Sequence, residues 1–151
     1  MSEHIVPILH KVYHKTLTAT FGTLSQEKVN KLFQDGRRSS HFLEYQLEEW
    51  FPGLRYVDQH GYDFVNMDDE NVRYDAKCFT RNGASFAPSY MIGGGRHVDE
   101  KDLWEHANTM IYIFCDVVEF PKVRIVCKKG SDLLEYKKGK IPKSHREQLF
   151  S

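Results

Sequence analysis

The chain has 151 residues, 40% of them apolar and 13% aromatic, which suits one folded domain with a real core and argues against a disordered segment. Its 21 basic and 21 acidic side chains cancel, which argues against a passive coat for nucleic acid. No apolar run approaches the roughly 18 residues that a membrane-spanning helix requires.

The charge is segregated along the chain. Between His41 and Asp75 nine acids face two bases, whereas from Pro121 onward nine bases face three acids. An acidic middle can hold a cation, and a basic tail can meet a polyanion. Polar Glu3, His4, His10 and Lys11 interrupt the first stretch, so no signal peptide is expected there. Cys78, Cys115 and Cys127 form no C-x-x-C pair and are read as free, mostly buried thiols of a cytoplasmic protein.

Taken in order, residues 1–36 read as helical, from Ile5, Ile8, Leu9 and Val12 and then from Val29, Leu32 and Phe33 after Ser25. Asp35-Gly36 is expected to end that region. A second helix is expected over about Ser40 to Phe51, capped by Ser39 or Ser40 and stopped by Pro52-Gly53. Strands follow at Leu54–Val57, Tyr62–Met67 after the turn His60-Gly61, and Val72–Phe79 after a polar Asp68–Asn71 connection. Residues 80–95 read as an irregular loop, with a triple glycine at Gly93-Gly94-Gly95. A short helix over about Asp99 to Asn108 precedes strands at Met110–Val118 and Val123–Lys128. The first of these two is apolar on both faces, as a central strand is. Ser144-x-x-Glu147 suggests a capped helix at the end. The order predicts an α/β fold, a mixed central β-sheet flanked by helices. It divides into a helical region at 1–38, a core at 39–128 and a basic segment at 129–151.

The chemistry sits in Gly61-Tyr62-Asp63-Phe64-Val65 and Tyr74-Asp75-Ala76-Lys77-Cys78. Asp75 and Lys77 are two apart on one strand and project from one face. Pairing around the preceding turn sets Asp63 near Ala76 and lets it approach Asp75 if a bulge or strand end turns it. Two carboxylates so close repel unless a cation lies between them. Mg²⁺ needs few protein carboxylates and keeps room for water and phosphate oxygens. Lys77 can orient a water and steady charge on a phosphate.

This pattern resembles the PD-(D/E)xK nuclease superfamily, and in size a small type II restriction endonuclease. The match is an acid before a hairpin, Asp-Ala-Lys on the next strand, and an upstream helix with Glu44 or Glu48. Tyr62 stands where the family commonly has proline, and the second acid is Asp75 where glutamate is commoner. The resemblance implies a restriction-endonuclease-like core over about Ser39 to Lys128. It implies Asp63, Asp75 and the Ala76 carbonyl as metal ligands, Lys77 as the catalytic lysine, and Glu44 as a further site acid. It implies a Mg²⁺-dependent deoxyribonuclease, with Mn²⁺ able to substitute, that cuts duplex DNA site-specifically as a homodimer. Phage-type, homing or junction-resolving nucleases share the fold, and a non-catalytic DNA-binding module is the alternative from another class.

Arg81, Asn82, Ser85, Ser89, Arg96 and His97, just beyond the Asp-Ala-Lys strand, suit contacts to phosphates or base edges. Lys137, Lys138 and Lys140 are further phosphate contacts. The apolar N-terminal positions are expected to form the dimer interface. His10-x-x-x-His14 has metal-ligand spacing on a helix but lacks a third ligand and is read as surface.

Overall fold

The computed structural model describes residues 5–59, 61–88, 91 and 95–151. His60, Ser89 and the first two glycines of the triple glycine lie outside the described residues. The chain forms β1 (Tyr13–Thr16), α1 (Gln26–Phe33), α2 (Gly36–Trp50), β2 (Leu54–Gln59), β3 (Tyr62–Asn66), β4 (Asp69–Phe79), β5 (Ala84–Ser85), α3 (Glu100–Ala107), β6 (Met110–Asp116), β7 (Lys122–Lys129), β8 (Lys140–Ile141) and α4 (Arg146–Leu149). Two 3₁₀ turns, Gly130–Leu133 and Lys143–His145, punctuate the last stretch.

Six strands make one mixed sheet in the order β1-β7-β6-β4-β3-β2. The central β4–β6 pair is parallel, as the intervening α3 crossover allows, and every other pair in the sheet is antiparallel. Helices cover both faces, so the expected α/β class holds. Alternation along β6 explains how. Ile113 and Cys115 face a core that includes Leu43 and Leu47 of α2. Tyr112 and Phe114 face a second core with Leu103 of α3, Phe86 and Phe150. Strand β4 alternates in the same way, with Tyr74 in the α2 core and Phe79 in the other.

Local signals place these elements. The Ser25 hydroxyl accepts the Lys28 amide at 3.2 Å and starts α1. Asp35 accepts the Arg37 amide at 2.9 Å and starts α2. Asp35-Gly36 therefore opens a helix where the sequence reading has it closing one. Ser39, expected as a cap, is fully buried in the helix, with its hydroxyl donating to the Asp35 carbonyl at 3.1 Å. Asp99 caps α3, which lies where a short helix is expected. Strands β2 and β4 run longer than expected, and β4 takes up the Asp69–Asn71 stretch that reads as a turn.

Two regions differ from expectation more deeply. Ile5, Ile8, Leu9 and Val12 are not helical. Pro7 is buried and His10 has a left-handed backbone at φ 68°, both incompatible with a continuous helix. The segment runs extended, with the Ile5 carbonyl accepting Gly53 N–H at 2.7 Å and the Cys127 carbonyl accepting His10 N–H at 2.9 Å. A Cβ on Gly53 would lie 2.7 Å from the Ile5 oxygen, so glycine permits this crossing. The helical region of 1–38 is thus an extended strap, strand β1, the whole of the expected helix α1 after Ser25 and the start of α2. Residues 129–151 are likewise no solvated basic tail. Leu133, Tyr136, Ile141, Leu149 and Phe150 are buried in the α3-side core, and β8 pairs with β5. The anticipated capping box is absent: α4 is four residues long with no side-chain cap, and the Glu147 carboxylate is taken by Arg124 at 2.9 Å.

Candidate active site

The β3–β4 ladder carries a register shift between Val65 and Asn66, and Phe64 lies opposite Tyr74. That is the last pair of the ladder toward the start of β3. Beyond it the Asp63 carboxylate, not a backbone carbonyl, accepts the Ala76 N–H, with Oδ2 at 2.9 Å. The strand end turns Asp63 toward β4, which brings it to Asp75. On β4 the Lys77 Nζ lies 3.1 Å from Asp75 Oδ2, and both side chains are largely buried, 22% and 13% exposed. Lys77 and Asp75 lie two apart, so one strand face presents both.

The electrostatics are those of too much negative charge in too little water. Burial first, then hydrogen bonding to and repulsion from Asp75, push the Asp63 carboxyl up to about 8, against a partial lowering by the Ala76 N–H. Glu44 also feels this field. It projects from α2 with its side chain 13% exposed and His41 Nδ1 at 3.4 Å. Burial is the main cause that raises its carboxyl, partly offset by His41 and Tyr56, with Asp75 adding a further push. Glu44, Asp63, Asp75 and Lys77 are therefore one electrostatic group of three acids and one base. Glu48 is not part of it: its carboxylate accepts the Tyr56 amide at 2.9 Å and ties α2 to β2.

A cation suits this group chemically. Asp63 and Asp75 offer hard oxygen donors, and Asp63 Oδ2 also accepts the Ala76 N–H at 2.9 Å. Among the described residues no three His, Cys, Asp or Glu side chains converge tightly enough to hold a metal by themselves. A magnesium ion does not require that, because waters and substrate oxygens fill most of its shell.

The residues expected to meet DNA fall into two places. Arg81 and Asn82 are exposed and line a cleft of about 760 Å³ with Lys31, Gln34, Arg37 and Cys78. Arg81 donates to Gln34 Oε1 at 3.2 Å. Ser85, Arg96, His97, Lys138 and Lys140 line another. Lys137 lines neither; its carbonyl accepts Trp104 Nε1–H at 3.0 Å, while its side chain is exposed. Sequence reasoning missed Lys31, Gln34 and Arg37, of which only Arg37 carries a signal, as the first of a basic pair directly after Asp35-Gly36. It also missed the buried Asp116, 1% exposed, which accepts from Arg124 and Arg146 at 2.9 Å each. The thiols of Cys78, Cys115 and Cys127 are free, and burial pushes all three up, Cys78 to about 11. None of them is poised as a nucleophile.

No helix among the described residues is long and apolar enough to cross a membrane. Comparison of the chain with protein-family models, curated proteins and solved structures gives no match.

Proposed function

We propose that this chain is a Mg²⁺-dependent deoxyribonuclease that hydrolyses phosphodiester bonds of duplex DNA, built on a restriction-endonuclease-like core. The observation that carries the reading is the raised Asp63 carboxyl beside the Asp75–Lys77 pair. A merely structural ion pair needs one acid and one base. A second buried acid pressed against the first must keep its proton or find a cation that uses both. The helix α2 ahead of β3 and β4, and the helix–strand–strand run α3-β6-β7 after them and the short β5, support the same reading because the resemblance extends to that order.

In this mechanism Asp63, Asp75 and the Ala76 carbonyl would hold the metal, Mg²⁺ or Mn²⁺. When bound, the ion lowers the pKa of a water and polarises the phosphate. Lys77 orients the attacking water and offsets charge that develops on the phosphoryl oxygens. Glu44 limits where that water can sit. The water oxygen bonds to phosphorus, the bond to the 3′ oxygen breaks, and the proton passes by solvent to that leaving oxygen. A homodimer matches the two-fold symmetry of duplex DNA and supplies one site per strand. Its interface would use exposed Ile5 and Ile8, 56% and 59% accessible. A restriction-type role in the cytoplasm is the form of this activity we favour.

Incubation of the protein with DNA of high sequence complexity, in Mg²⁺ and in EDTA, tests the proposal. Cleavage in Mg²⁺ that EDTA abolishes is expected. Full activity in chelator would overturn it.

A further inference from the structure

Three clefts on the described surface share their walls. The first, between α1, the start of α2 and the turn after β4, is lined by Lys31, Arg37, Arg81, Asn82 and Cys78. The second begins at the same Cys78 and Asn82 and ends at Ser85 and Lys140. The third begins at Ser85 and Lys140 and ends at Lys138, Arg96 and His97. Shared residues at both junctions make these one continuous groove, folded along the β5–β8 ribbon. Lysine and arginine recur along its whole course, whereas Asp35 is the only acid among the lining residues. Asp35 is already engaged, accepting the Arg37 amide at 2.9 Å. The first two clefts meet at Cys78, whose side chain lies on the β4 face opposite that of Lys77.

A chain that is neutral overall lines this concave path with bases and a single acid, Asp35. The repeat of positive charge along a channel, with Asn82 and Ser85 between, fits a linear polyanion with hydrogen-bonding edges. We infer that this groove is the track of one strand of the DNA substrate, entering at Arg37 and Arg81 and leaving at Lys138 and Lys140. The inference rests on the nuclease reading for the identity of the polyanion. It departs from a phosphate-binding tail: the contacting lysines are held in a folded groove wall, Lys137 is not among them, and Arg37 and Lys31 are. Gly83 sets the floor. With φ 84° it adopts a left-handed backbone, and a Cβ there would lie 2.1 Å from the Ile141 carbonyl, so β8 can approach the turn only with glycine at this position.

The test uses charge reversal at the two ends. Arg37→Glu with Arg81→Glu reverses the first end, and Lys138→Glu with Lys140→Glu the other. Lys11→Glu with Lys122→Glu, on exposed residues that line none of the clefts, is the control. Binding of a fluorescent oligonucleotide is measured in Ca²⁺ over a range of salt, with stoichiometry and melting temperature checked for each variant. Each end variant is expected to weaken binding at least tenfold and to reduce the salt slope by roughly 1–2, at one strand per groove. The control is expected to bind like the wild type. Unchanged affinity and slope in either end variant, or two strands bound per chain, would overturn the single track. Hydrolysis of bis(p-nitrophenyl) phosphate, a diester without flanking nucleotides, separates this failure from that of the catalytic reading. Both end variants are expected to keep wild-type rates on it. No hydrolysis by any form, with oligonucleotide binding still lost at both ends, would leave the track standing and remove the nuclease.

Discussion

Two buried acidic centres of this molecule are built in opposite ways. At the far end of β6, Asp116 accepts from the Arg124 guanidinium at 2.9 and 3.1 Å, from Arg146 at 2.9 Å, and from the Val118 amide at 3.1 Å. Glu147 and Glu119 then pair with the outer sides of those arginines, and Arg124 holds the Glu147 carboxyl below its usual range. Every charge has an opposite neighbour. At the other centre, Asp63 and Asp75 on β3 and β4 and Glu44 on α2 lie near one lysine, Lys77, which pairs with Asp75, and two of the three carboxyls are pushed up. A fold that neutralises Asp116 so fully leaves the second centre short of positive charge. Under the proposed function, a cation and a substrate would complete the balance at the second.

Breaking each centre gives different losses. Asp75→Ala or Lys77→Ala is expected to lower the DNA cleavage rate at least a thousandfold, about 4 kcal/mol of barrier, with the melting temperature near wild type. They differ in metal binding, which weakens in Asp75→Ala and is kept in Lys77→Ala. Wild-type cutting by Lys77→Ala would reduce the strand face to a structural ion pair. Asp116→Ala is expected to do the reverse. It strands two arginines beside a buried gap and costs about 3 kcal/mol of stability by denaturant unfolding, while the remaining folded protein cleaves normally. Loss of activity out of proportion to the folded fraction would contradict a structural role.

The two centres were not equally legible in the sequence. Asp63, Asp75 and Lys77 stand within 15 positions of one another, in a hairpin whose period-two pattern fixes which side chains share a face. Asp63 needed one non-local fact, the end of the ladder at Phe64–Tyr74, which the strand boundaries hint at but do not dictate. The Asp116 centre joins residues 8 and 30 positions apart through the packing of the last segment, and no local pattern announces it. The same segment reads as a basic tail because its charges are counted more easily than Leu133, Tyr136, Ile141 and Phe150, which hold it down. At the other terminus, Ile5, Ile8, Leu9 and Val12 carry helical spacing yet lie in an extended strap. Pro7 and the main-chain bonds to Gly53 and Cys127 outweigh periodicity over so short a stretch.

Smaller changes sharpen the comparison. A carboxyl raised from the ordinary range to about 8 favours the folded state fully below pH about 4, and this contribution is lost as pH rises toward about 8. Metal-free protein is therefore expected to lose stability across that window. Asp63→Asn removes the slope and gains about 1–3 kcal/mol at pH 8, allowing for partial exposure, by urea unfolding in EDTA. A pH slope identical in the variant and the wild type would show that Asp63 is not the group responsible. Glu44→Gln, one position further from the reacting centre, is expected to slow cleavage only about tenfold, about 1.4 kcal/mol, with metal affinity little changed. A thousandfold loss would make Glu44 a ligand.

The contrast between the centres is tested most directly by calorimetric titration of Mn²⁺ at pH 7, in two buffers of different ionisation enthalpy. The wild type is expected to bind metal at the β3–β4 site and to release close to one proton as Asp63 gives up its own to the incoming cation. Asp116→Asn is expected to match it, and Asp75→Asn to lose both the binding and the proton. Absence of binding in the wild type, or equal binding with no proton released in all three proteins, would contradict the account.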